Sequence, residues 1–584
     1  MEKRFLATMI ALMAFFMIVS YIYPRLYPPP PKSTKAVTPV AAKEETITPS
    51  ATTPSAPSAP GQPSSIAPVD PWAIGQPGDG PAPPAKDIVI ETTDIRVVVT
   101  ENGGRFKSLT LNKYMRDKIN PHTPNAPLDM VVPSAKDLPL GLWLAQDNGD
   151  VKVSLANLKF TSDQGDFSVG PGGQKSLTLT ARANGGLTVT KILTFYGEGY
   201  LVGQVIKLTN EGTYHYQGRL GQTIPVVAYS LRPTRYGAVA GYINQNFFSE
   251  STKDAGEELA ALRTVSADWL GYMDQHFLSA FVFERGDDGQ SPEGLRLGTE
   301  PQTDGPGYRL FQSRPISLAP GASTSLVQNV YYGPKDSEAL TTAGHQLSRS
   351  LDYGWFSLLA TPLIWLLKLF YDLVGNYGVA IILVTIIIKM ALWPLTAKSY
   401  RSMKQMQKLQ PKVAKLREKY KDDNKTMQAE MMQLYKTYKV SPLGGCLPML
   451  LQIPFFIAFY RVLDYTLELR GAPFCLWITD LSVPDRLFYF TFKLPLLDEP
   501  TGIPVLTLLM GVTMVWQQKM TPSMGDPTQA KIMMFMPLIF IFILLNMPSG
   551  LVLYWLVNNI ISIFQQKLIN RPAKSATPAP LAKT

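Results

Sequence analysis

The chain has 584 residues and a formal net charge of +10; 46% of its residues are hydrophobic and 17% are charged. This length excludes one ordinary domain, and the charged share lies below the roughly 25% that is typical of soluble domains, which indicates membrane content. The two cysteines, Cys446 and Cys475, are too few for a disulfide framework. The topology inferred below places them near opposite faces of the membrane, so we expect no bridge between them.

The N-terminal segment, residues 1–27, is predicted to be a signal anchor. Lys3 and Arg4 precede a mostly apolar stretch over residues 5–23, as in a signal peptide. The stretch is long enough to span a bilayer and no small-x-small cleavage site follows it, which favours an uncleaved anchor over a cleaved signal. Residues 28–86 are dense in Pro, Ser, Thr and Ala, and this composition predicts a disordered tether.

Residues 87–335 change to a period of two. Ile95, Val97 and Val99 stand at alternate positions, and Asn-Gly-Gly turns at 102–104 and 184–186 separate further alternating runs. This pattern predicts a large antiparallel β-sandwich outside the membrane.

The exported part carries no recognisable catalytic or metal-binding pattern. The glycine-rich run at 170–176 lacks the Gly-Lys pair of a phosphate loop and precedes a strand. The four histidines lack the spacing of a metal site or a catalytic triad; they are His122, His215, His276 and His345. We therefore expect no metal, no cofactor and no enzymatic activity. A membrane-anchored carbohydrate enzyme would need a paired carboxylate or histidine site, which the sequence does not identify.

The distribution of charge decides the predicted topology. Residues 377–396 form the clearest apolar span, and residues 397–439 after it carry twelve Lys or Arg and four Asp or Glu, a net charge of +8. Cytoplasmic loops carry such a basic excess, so a single crossing must separate this segment from the β-domain. Residues 351–375 are therefore predicted as an amphipathic helix along the outer interface.

Further apolar stretches complete a predicted five-span core over residues 376–570. They lie at about 447–467, 503–518, 532–547 and 550–568. With the N-terminal anchor they give six membrane spans, with both termini in the cytoplasm and residues 571–584 as a cytoplasmic tail. Several of these spans are short against the roughly 30 Å of bilayer hydrocarbon, which favours local thinning of the bilayer.

Lys389 lies inside the clearest span. A charged side chain in hydrocarbon costs about 2.5–3.5 kcal/mol on insertion scales and normally faces a bundle interior or a hydrated cavity. Its stem could alternatively reach the inner-leaflet headgroups. Polar residues in the other spans favour the cavity: Gln452, Tyr554 and Asn558, the last two sharing a helix face. They could equally serve as contacts between helices.

The basic segment 397–439 has a near-heptad pattern of apolar residues on both sides of a turn near residues 422–425. The pattern predicts an antiparallel helical hairpin with a basic exterior. Its exposed cations are expected to be Arg401, Lys404, Lys408, Lys412, Lys415 and Arg417. The hairpin is either a solvated loop or a docking surface for ribosome, translocon or nascent chain.

Several motifs of the C-terminal part are similar to those of a known family. They are Pro394-Leu-Thr, Ser441-Pro-Leu-Gly-Gly-Cys-Leu-Pro, Ala472-Pro-Phe-Cys-Leu-Trp-Ile-Thr-Asp-Leu-Ser, Leu509-Met-Gly-Val-Thr-Met and Pro548-Ser-Gly-Leu-Val-Leu-Tyr. The chain resembles the YidC-type bacterial membrane protein insertases, closely over residues 351–570 and in its order of segments throughout. The long Gram-negative form of the family has this order of anchor, tether, β-domain and five-span core.

The resemblance implies a hydrophilic groove that is open to the cytoplasm and to lipid but closed to the outside. A basic residue in the first core span receives the polar or acidic part of an incoming chain, and here that position is Lys389, where many relatives have arginine. Thr385 and the pair Tyr554 and Trp555 match positions that face the groove. Phe456 matches a position on the apolar side, where the substrate helix slides. The exported domain resembles sugar-binding β-sandwiches of the mutarotase type.

The family implies a function as insertase and membrane chaperone in the inner membrane of a Gram-negative bacterium, with the β-domain in the periplasm. The expected partners are nascent membrane proteins, the Sec translocon, the ribosome and anionic lipids, with no nucleic acid other than ribosomal RNA. The alternative is an anion transporter or channel in which Lys389 selects anions. That alternative needs a path to both faces and usually internal repeats, and we find no repeat.

Overall fold

The fold is known from a computed structural model, which describes residues 85–116, 126–131, 138–146, 152–227, 237–261, 264–285, 294–301, 308–351, 357–420, 423–438, 447–490, 492, 497, 501–520 and 527–570. The predicted signal anchor, the tether up to residue 84, the cytoplasmic tail and Cys446 lie outside these residues, so their predictions stand as made.

The exported domain is built of β-strands joined by turns. In chain order they are β1 Asp87–Glu91, β2 Ile95–Thr100, β3 Arg105–Met115, β4 Pro127–Asp129, β5 Gly141–Gln146, β6 Lys152–Ser154, β7 Thr161–Ser162, β8 Phe167–Ser168, β9 Gln174–Arg182, β10 Leu187–Tyr196, β11 Leu201–Asn210, β12 Tyr216–Pro225, β13 Ala238–Ile243, β14 Asn246–Glu250, β15 Ala267–Met273, β16 Phe277–Phe283, β17 Arg296–Pro301, β18 Tyr308–Leu318 and β19 Ser323–Pro334. Two helices accompany them, α1 Thr252–Ala261 and α2 Ser337–Ala343.

The strands form three sheets that share one hydrophobic core. Their orders are β4-β3-β2-β1-β8, β14-β13-β15-β16-β19-β11-β10-β9-β7 and β17-β18-β12-β5-β6. Apart from the short parallel pair β1–β8, the described pairings are antiparallel, with β10–β11 and β12–β18 as long examples. Ile90, Val189 and Leu220, one from each sheet, belong to the same core. The predicted antiparallel β-domain is confirmed.

One lysine holds the three sheets together. Lys191 lies on the buried face of β10, between Val189 and Leu193, and is itself fully buried. Its Nζ donates to the carbonyls of Gly103 (2.8 Å), Gly104 (3.0 Å) and Leu140 (2.8 Å). Burial lowers the pKa of Lys191 well below its ordinary value, because water no longer solvates the charged form. Three carbonyl acceptors satisfy the donors that burial would otherwise leave unpaired.

The C-terminal part is helical. Its helices are α3 Ser357–Val374, α4 Tyr377–Ala391, α5 Trp393–Lys419, α6 Asn424–Thr437, α7 Leu447–Tyr465, α8 Val505–Met520, α9 Pro527–Leu544 and α10 Ser549–Asn570, and a two-stranded ribbon of β20 Leu487–Tyr489 and β21 Gly502–Ile503 precedes α8. Helix α4 packs against α3 and α10, α8 packs against α9 and α10, and α7 packs against α3 and α5. One apolar cluster unites α3, α4, α7, α8 and α10.

The helix count of the membrane part stays a prediction. Within the described chain, Ser357–Val374 is the one straight helix that is long and apolar enough to cross a bilayer, and α4 and α5 qualify together as a pair bent by 64°. Helix α3 buries Ala360, Leu363 and Leu367 on one face, while Leu358 on another side is 86% exposed. The exposed side is thus apolar as well, with Trp365 and Leu373 at 62% and 76% exposed, and the placement of α3 along the outer interface stays a prediction.

The first core span ends earlier than expected. Helix α4 stops at Ala391, and α5 begins at Trp393 with Pro394 in its first turn. Proline disfavours helical backbone in the residue before it and has no N–H to donate, so a new helix can start there but the old one cannot continue through it. The hairpin therefore begins within the predicted span. It turns near Asp423, whose side chain caps α6, close to the predicted turn.

The β-domain contacts the core at one end of α7. Gln275, in the turn between β15 and β16, donates from Nε2 to the carbonyl oxygen of Asp464 at 2.6 Å and to its Oδ1 at 3.2 Å. The Nζ of Lys335 lies 5.2 Å from the ring centroid of Tyr465, and the guanidinium of Arg470 lies 5.0 Å from that of Phe277. We call this end of the helix bundle the β-domain end, and the end that leads into α5 and α6 the hairpin end.

A loop closes the β-domain end of the bundle. The ring of Phe474 lies on Gly378 at the start of α4, and the carbonyl of Phe474 accepts a hydrogen bond from Nδ2 of Asn376 (3.0 Å). Further along the loop, the carbonyls of Leu481 and Val483 accept from the first N–H groups of α10 at 3.0 and 2.7 Å. The N-terminus of α10 thereby obtains partners for N–H groups that no helical carbonyl satisfies. At the N-terminus of α4, Oδ1 of Asn376 accepts from the N–H of Val379 instead.

Gly378→Ala tests this close approach. A Cβ at residue 378 would lie 2.0 Å from Cδ2 of Phe474, so the ring and its loop must move. We expect a loss of about 1–3 kcal/mol in the free energy of unfolding, as for other overpacked sites, measured by thermal unfolding of the detergent-solubilised chain. The matched control is Gly511→Ala, where the Cβ meets Cδ1 of Ile541, the end of a side chain that can rotate away. Equal melting temperatures for the two variants would contradict the tight contact.

His276 makes the stability of the β-domain junction depend on pH. Burial, followed by the charges of Arg470 and Lys335, lowers the pKa of His276 from its ordinary 6.5 to about 3. The unfolded chain therefore binds this proton more tightly than the folded chain, and stability is lost as the pH falls from about 6.5 towards 3. We expect His276→Gln to flatten the dependence of the melting temperature on pH in that window. His215→Gln, at an exposed position, is the control, and an unchanged slope for His276→Gln would refute the assignment.

Candidate functional site

Lys389 belongs to α4, and its side chain points towards α10. Its side chain is buried, with 7% of the residue exposed, and its Nζ donates to Oγ of Ser562 at 2.8 Å. Ser562 in turn donates to the carbonyl of Asn558, one turn earlier in α10, at 2.7 Å. Thr385, one turn before Lys389, is fully buried and donates to the carbonyl of Ile381. Three predicted residues, Thr385, Lys389 and Asn558, thus come together, and the lysine is held inside the bundle.

The polar surroundings of Lys389 extend towards the hairpin end. We call this set of buried polar side chains the polar track; its members are Thr385, Lys389, Ser399, Asn558, Asn559, Ser562, Gln565 and Gln566. Asn559 donates to Oγ1 of Thr513 at 3.3 Å, Gln566 donates to the carbonyl of Met520 at 2.7 Å, and Tyr400 shares a hydrogen bond with Ser562. The track therefore connects α4, α5, α8 and α10.

Part of the polar track lacks a protein partner. Both polar atoms of the Gln565 amide are buried and have no hydrogen-bond partner in the described part of the chain, and the same holds for Oε1 of Gln566. Buried polar groups without a partner are costly, at about 1–3 kcal/mol each. Such groups are suited to bind polar atoms that enter from outside the protein.

Sequence reasoning found only part of this track. Ser562, Gln565 and Gln566 were missed, although they follow Asn558 at helical spacings of four, seven and eight residues and so share its face. Extending the search along α10 by this period would have found them. Ser399 and Tyr400 gave no such signal, because the bend between α4 and α5 decides that they face α10.

An aromatic cluster lies nearer the β-domain end. The rings of Phe456 and Trp555 meet edge to face with centroids 5.0 Å apart, and Phe456 and Tyr554 stack at 6.4 Å. Phe459 packs edge to face on Tyr554 at 4.9 Å, and Phe540 lies 5.2 Å from Trp555. Tyr554 is buried with 1% exposed, whereas Trp555 is half-buried. The predicted residues Phe456, Tyr554 and Trp555 therefore form one apolar wall.

Polarity changes along the bundle axis. On α10, Leu551, Val552 and Leu553 are buried near the β-domain end, whereas the buried residues from Asn558 onwards are largely polar. On α4, Ile381 and Val384 are buried before Thr385 and Lys389. On α4 and α10, most of the buried polar side chains thus lie in the hairpin half. The β-domain half also buries polar side chains, and Asp485, Arg486 and Ser549 there bind groups of loops and helix ends.

The remaining predicted residues either lie apart from the polar track or have side chains that the structure does not describe. The side chain of Gln452 is not among those described. On α5, Arg401, Lys408, Lys412 and Lys415 are exposed and Lys404 and Arg417 are half-buried. The hairpin buries Leu409, Val413 and Met431 instead, so its basic residues line the outside of the hairpin.

The described chain shows no alternative chemical centre. Within those residues, no group of three or more His, Cys, Asp or Glu side chains is arranged to hold a metal ion. Cys475 is a free, exposed cysteine. The candidate site consists of a buried lysine, uncharged polar groups and an aromatic cluster.

Comparison with known proteins identifies the family. The family described as "60Kd inner membrane protein" matches residues 369–576, and "YidC periplasmic domain" matches residues 87–366. A "Membrane protein insertase YidC" of Pelobacter propionicus is 39% identical over 98% of this chain and 99% of that protein. One of Geobacter sulfurreducens is 39% identical over 83% of this chain and 86% of its own.

Among solved structures, a crystal structure of an active YidC insertase is similar, with 18% identity, a TM-score of 0.35 and coverage of 87% of this chain and 97% of that one. A putative aldose 1-epimerase of Escherichia coli K12 covers 43% of this chain and 100% of its own, with 10% identity and a TM-score of 0.28. The relatives and the two matching families together cover the β-domain and the helical core, and the chain belongs to the YidC family of membrane protein insertases.

Proposed function

We propose that this protein inserts other proteins into the bacterial inner membrane and helps them to fold, through a hydrophilic groove that opens to the cytoplasm. The relatives that match nearly the full chain carry the name of membrane protein insertase. The groove is formed by a five-span core, in which α4, α7, α8, α9 and α10 cross the membrane and α3 lies along the outer interface. The polar track lines it, and Phe456, Tyr554 and Trp555 form its apolar wall.

The observation that carries the proposal is the one-sided polarity of the bundle. Lys389 and its polar neighbours lie in the hairpin half. In the β-domain half, Asp485, Arg486 and Ser549 bind groups of loops and helix ends, and the loop on Gly378 and the start of α10 closes this half. A groove of this form admits a polar segment from the cytoplasm without opening a path for ions. The anion channel, which needs polar residues towards both faces, is less well supported.

Lys389 acts by attracting negative charge on the incoming chain. Two opposite unit charges 4 Å apart attract by about 1 kcal/mol in bulk water but by about 4 kcal/mol where the effective dielectric constant is near 20. Burial between α4 and α10 thus strengthens a contact with an acidic residue. The unpartnered amide of Gln565 can bind polar backbone or side-chain groups of the same segment.

Release into lipid follows from the hydrophobic effect. An emerging span gains about 25 cal/mol for each Å² of apolar surface that leaves water. The apolar wall lies next to helices whose outer faces are exposed and apolar, such as α9 with Phe542 and Ile543 (53% and 55% exposed). Insertion then needs no nucleotide: transfer of apolar surface supplies the free energy, and the membrane potential can add to it.

The hairpin supplies the cytoplasmic docking surface. Its cations point outwards from a packed interior of Leu409, Val413 and Met431, and a basic surface favours ribosomal RNA, anionic lipid headgroups and acidic protein segments. We infer that the hairpin receives the ribosome or the nascent chain, and that the protein works alone or with the Sec translocon. The β-domain then lies in the periplasm of a Gram-negative cell and both termini lie in the cytoplasm.

Replacement of Lys389 tests the role of its charge. In cells depleted of the native protein, we expect Lys389→Ala to slow the insertion of a two-span substrate with a short acidic translocated loop about tenfold or more, since a loss of about 1.4 kcal/mol changes a rate tenfold. Protease accessibility of the loop gives the readout. Lys389→Arg keeps the charge and should retain insertion. A substrate with an uncharged loop is the second control. An equal loss of insertion rate for the acidic and the uncharged substrate would contradict the charge role, and so would normal insertion by Lys389→Ala.

Charge reversal on the hairpin tests docking. We expect Arg401→Glu with Lys408→Glu to weaken cosedimentation of the detergent-solubilised protein with ribosomes, most strongly at low salt, because exposed charges are screened as ionic strength rises. The matched control reverses two exposed lysines of the β-domain, Lys175→Glu with Lys207→Glu. Unchanged ribosome binding by the hairpin variant would identify the hairpin as a solvated loop.

A further inference from the structure

The ribbon of β20 and β21 is clamped to the ends of two helices. Arg486, with 2% exposed, donates from Nη1 to the carbonyl of Leu545 (3.0 Å) and from Nη2 to Oδ1 of Asn546 (3.1 Å), just after α9 ends. Asp485, with 4% exposed, accepts from the backbone N–H of Leu506 (2.7 Å) and from Oγ1 of Thr507 (3.3 Å) in the first turn of α8. The ribbon therefore has a fixed position relative to α8 and α9.

The clamped ribbon presents aromatic side chains outwards. Phe488 is 68% exposed, Phe492 is 58% exposed and Tyr489 is 39% exposed. The rings of Phe490 and Phe492 stack with centroids 5.2 Å apart, and Oγ1 of Thr501 donates to the carbonyls of both residues at 3.1 and 2.9 Å. We call residues 487–490 and 492 the aromatic ribbon. Its exposed rings form an apolar surface that no other part of the described protein buries.

Backbone strain marks the exposed position of Phe488. Its φ is 54°, in the left-handed region that costs a bulky residue of order 1–3 kcal/mol. Burying a phenylalanine side chain stabilises by about 1.5–3 kcal/mol. An apolar partner that buries the ring of Phe488 would therefore offset the cost of its backbone conformation.

The position of the ribbon indicates a lipid partner. Exposed apolar residues begin on α8 at Leu508, about 4.5 Å along the axis from Val505. On α9 they continue to Ile543, two residues before the carbonyl that Arg486 binds. The aromatic ribbon thus adjoins the level at which the apolar faces of both helices begin. Tyrosine and tryptophan, whose rings are amphipathic, are enriched at this level in membrane proteins, where headgroups meet acyl chains. Tyr489 is such a residue, and Phe488 and Phe492 beside it add exposed apolar surface.

We propose that the aromatic ribbon lies in the outer-leaflet interface, with Phe488 and Phe492 in contact with lipid. The assignment rests on the membrane placement of α8 and α9 in the proposed function. Helix α8 has 16 residues and so spans about 24 Å, less than the roughly 30 Å of hydrocarbon. The ribbon fixes the depth of its outer end and holds the adjoining leaflet thin, which shortens the path of a segment crossing beside the groove.

The experiment measures the surroundings of single labelled positions in the full chain, reconstituted in phosphatidylethanolamine–phosphatidylglycerol vesicles. Phe488→Cys and Phe492→Cys are made separately with Cys446→Ser and Cys475→Ser, and each carries an environment-sensitive fluorophore. We expect quenching by lipids with a nitroxide near the headgroup and protection from aqueous iodide. Val327→Cys, 48% exposed on the β-domain, is the control and should show the reverse.

Val512→Cys separates this inference from the proposed function. Val512 is 65% exposed in the middle of α8 and should be quenched by nitroxides deep in the acyl chains. Quenching of residue 512 by lipid together with iodide access at residue 488 would overturn the interfacial ribbon and leave the insertase intact. Iodide access at residue 512 would refute the membrane placement itself. Protection of residue 488 from both quenchers would assign the ribbon to a protein partner and overturn the lipid assignment.

Discussion

Burial of the Lys389 ammonium inside an apolar helix bundle is the constraint on which the rest of the core depends. A desolvated ammonium needs polar neighbours, and Ser562 supplies the nearest one at 2.8 Å. The bend after Ala391 turns α5 so that Ser399 and Tyr400 face the same helix α10. The polar track is the result, and it lies in the hairpin half of the bundle.

The β-domain end of the bundle is packed differently from the hairpin end. At the β-domain end, the loop after α7 binds the first N–H groups of α10, packs Phe474 on Gly378, and continues into the clamp of Asp485 and Arg486. Here the polar groups bind to one another and to helix termini, and the space between helices is filled by aromatic and aliphatic side chains. The function proposed above requires the polar half to open to the cytoplasm while this half stays closed.

The β-domain is joined to this closed end through α7. Gln275 binds Asp464 at the end of the helix that carries Phe456 and Phe459 about two and one and a half turns earlier. The same helix thus bears the junction with the β-domain and part of the apolar wall.

Within the β-domain, Lys191 plays a role opposite to that of Lys389. Its Nζ binds three backbone carbonyls and so fastens sheets together, whereas Lys389 is held by a hydroxyl group among other polar side chains.

Periodicity and charge, which are local properties, let the sequence by itself determine the antiparallel β-domain, the helical core, the basic hairpin and the lysine inside an apolar helix. The motifs of the C-terminal part indicated the family by resemblance. The tertiary structure alone decided which distant residues meet. Tyr400 reaches Ser562 on α10 because a new helix starts at Trp393 after the bend, and Gln275 reaches Asp464 across 189 positions of the chain. No spacing in the sequence encodes such contacts, since they follow from helix bends and loop paths. Asn558 could be predicted because it shares a face with Tyr554. The clamp of Asp485 and Arg486 could not, because its partners lie 21 to 60 positions away and half of them are backbone groups without a sequence signal.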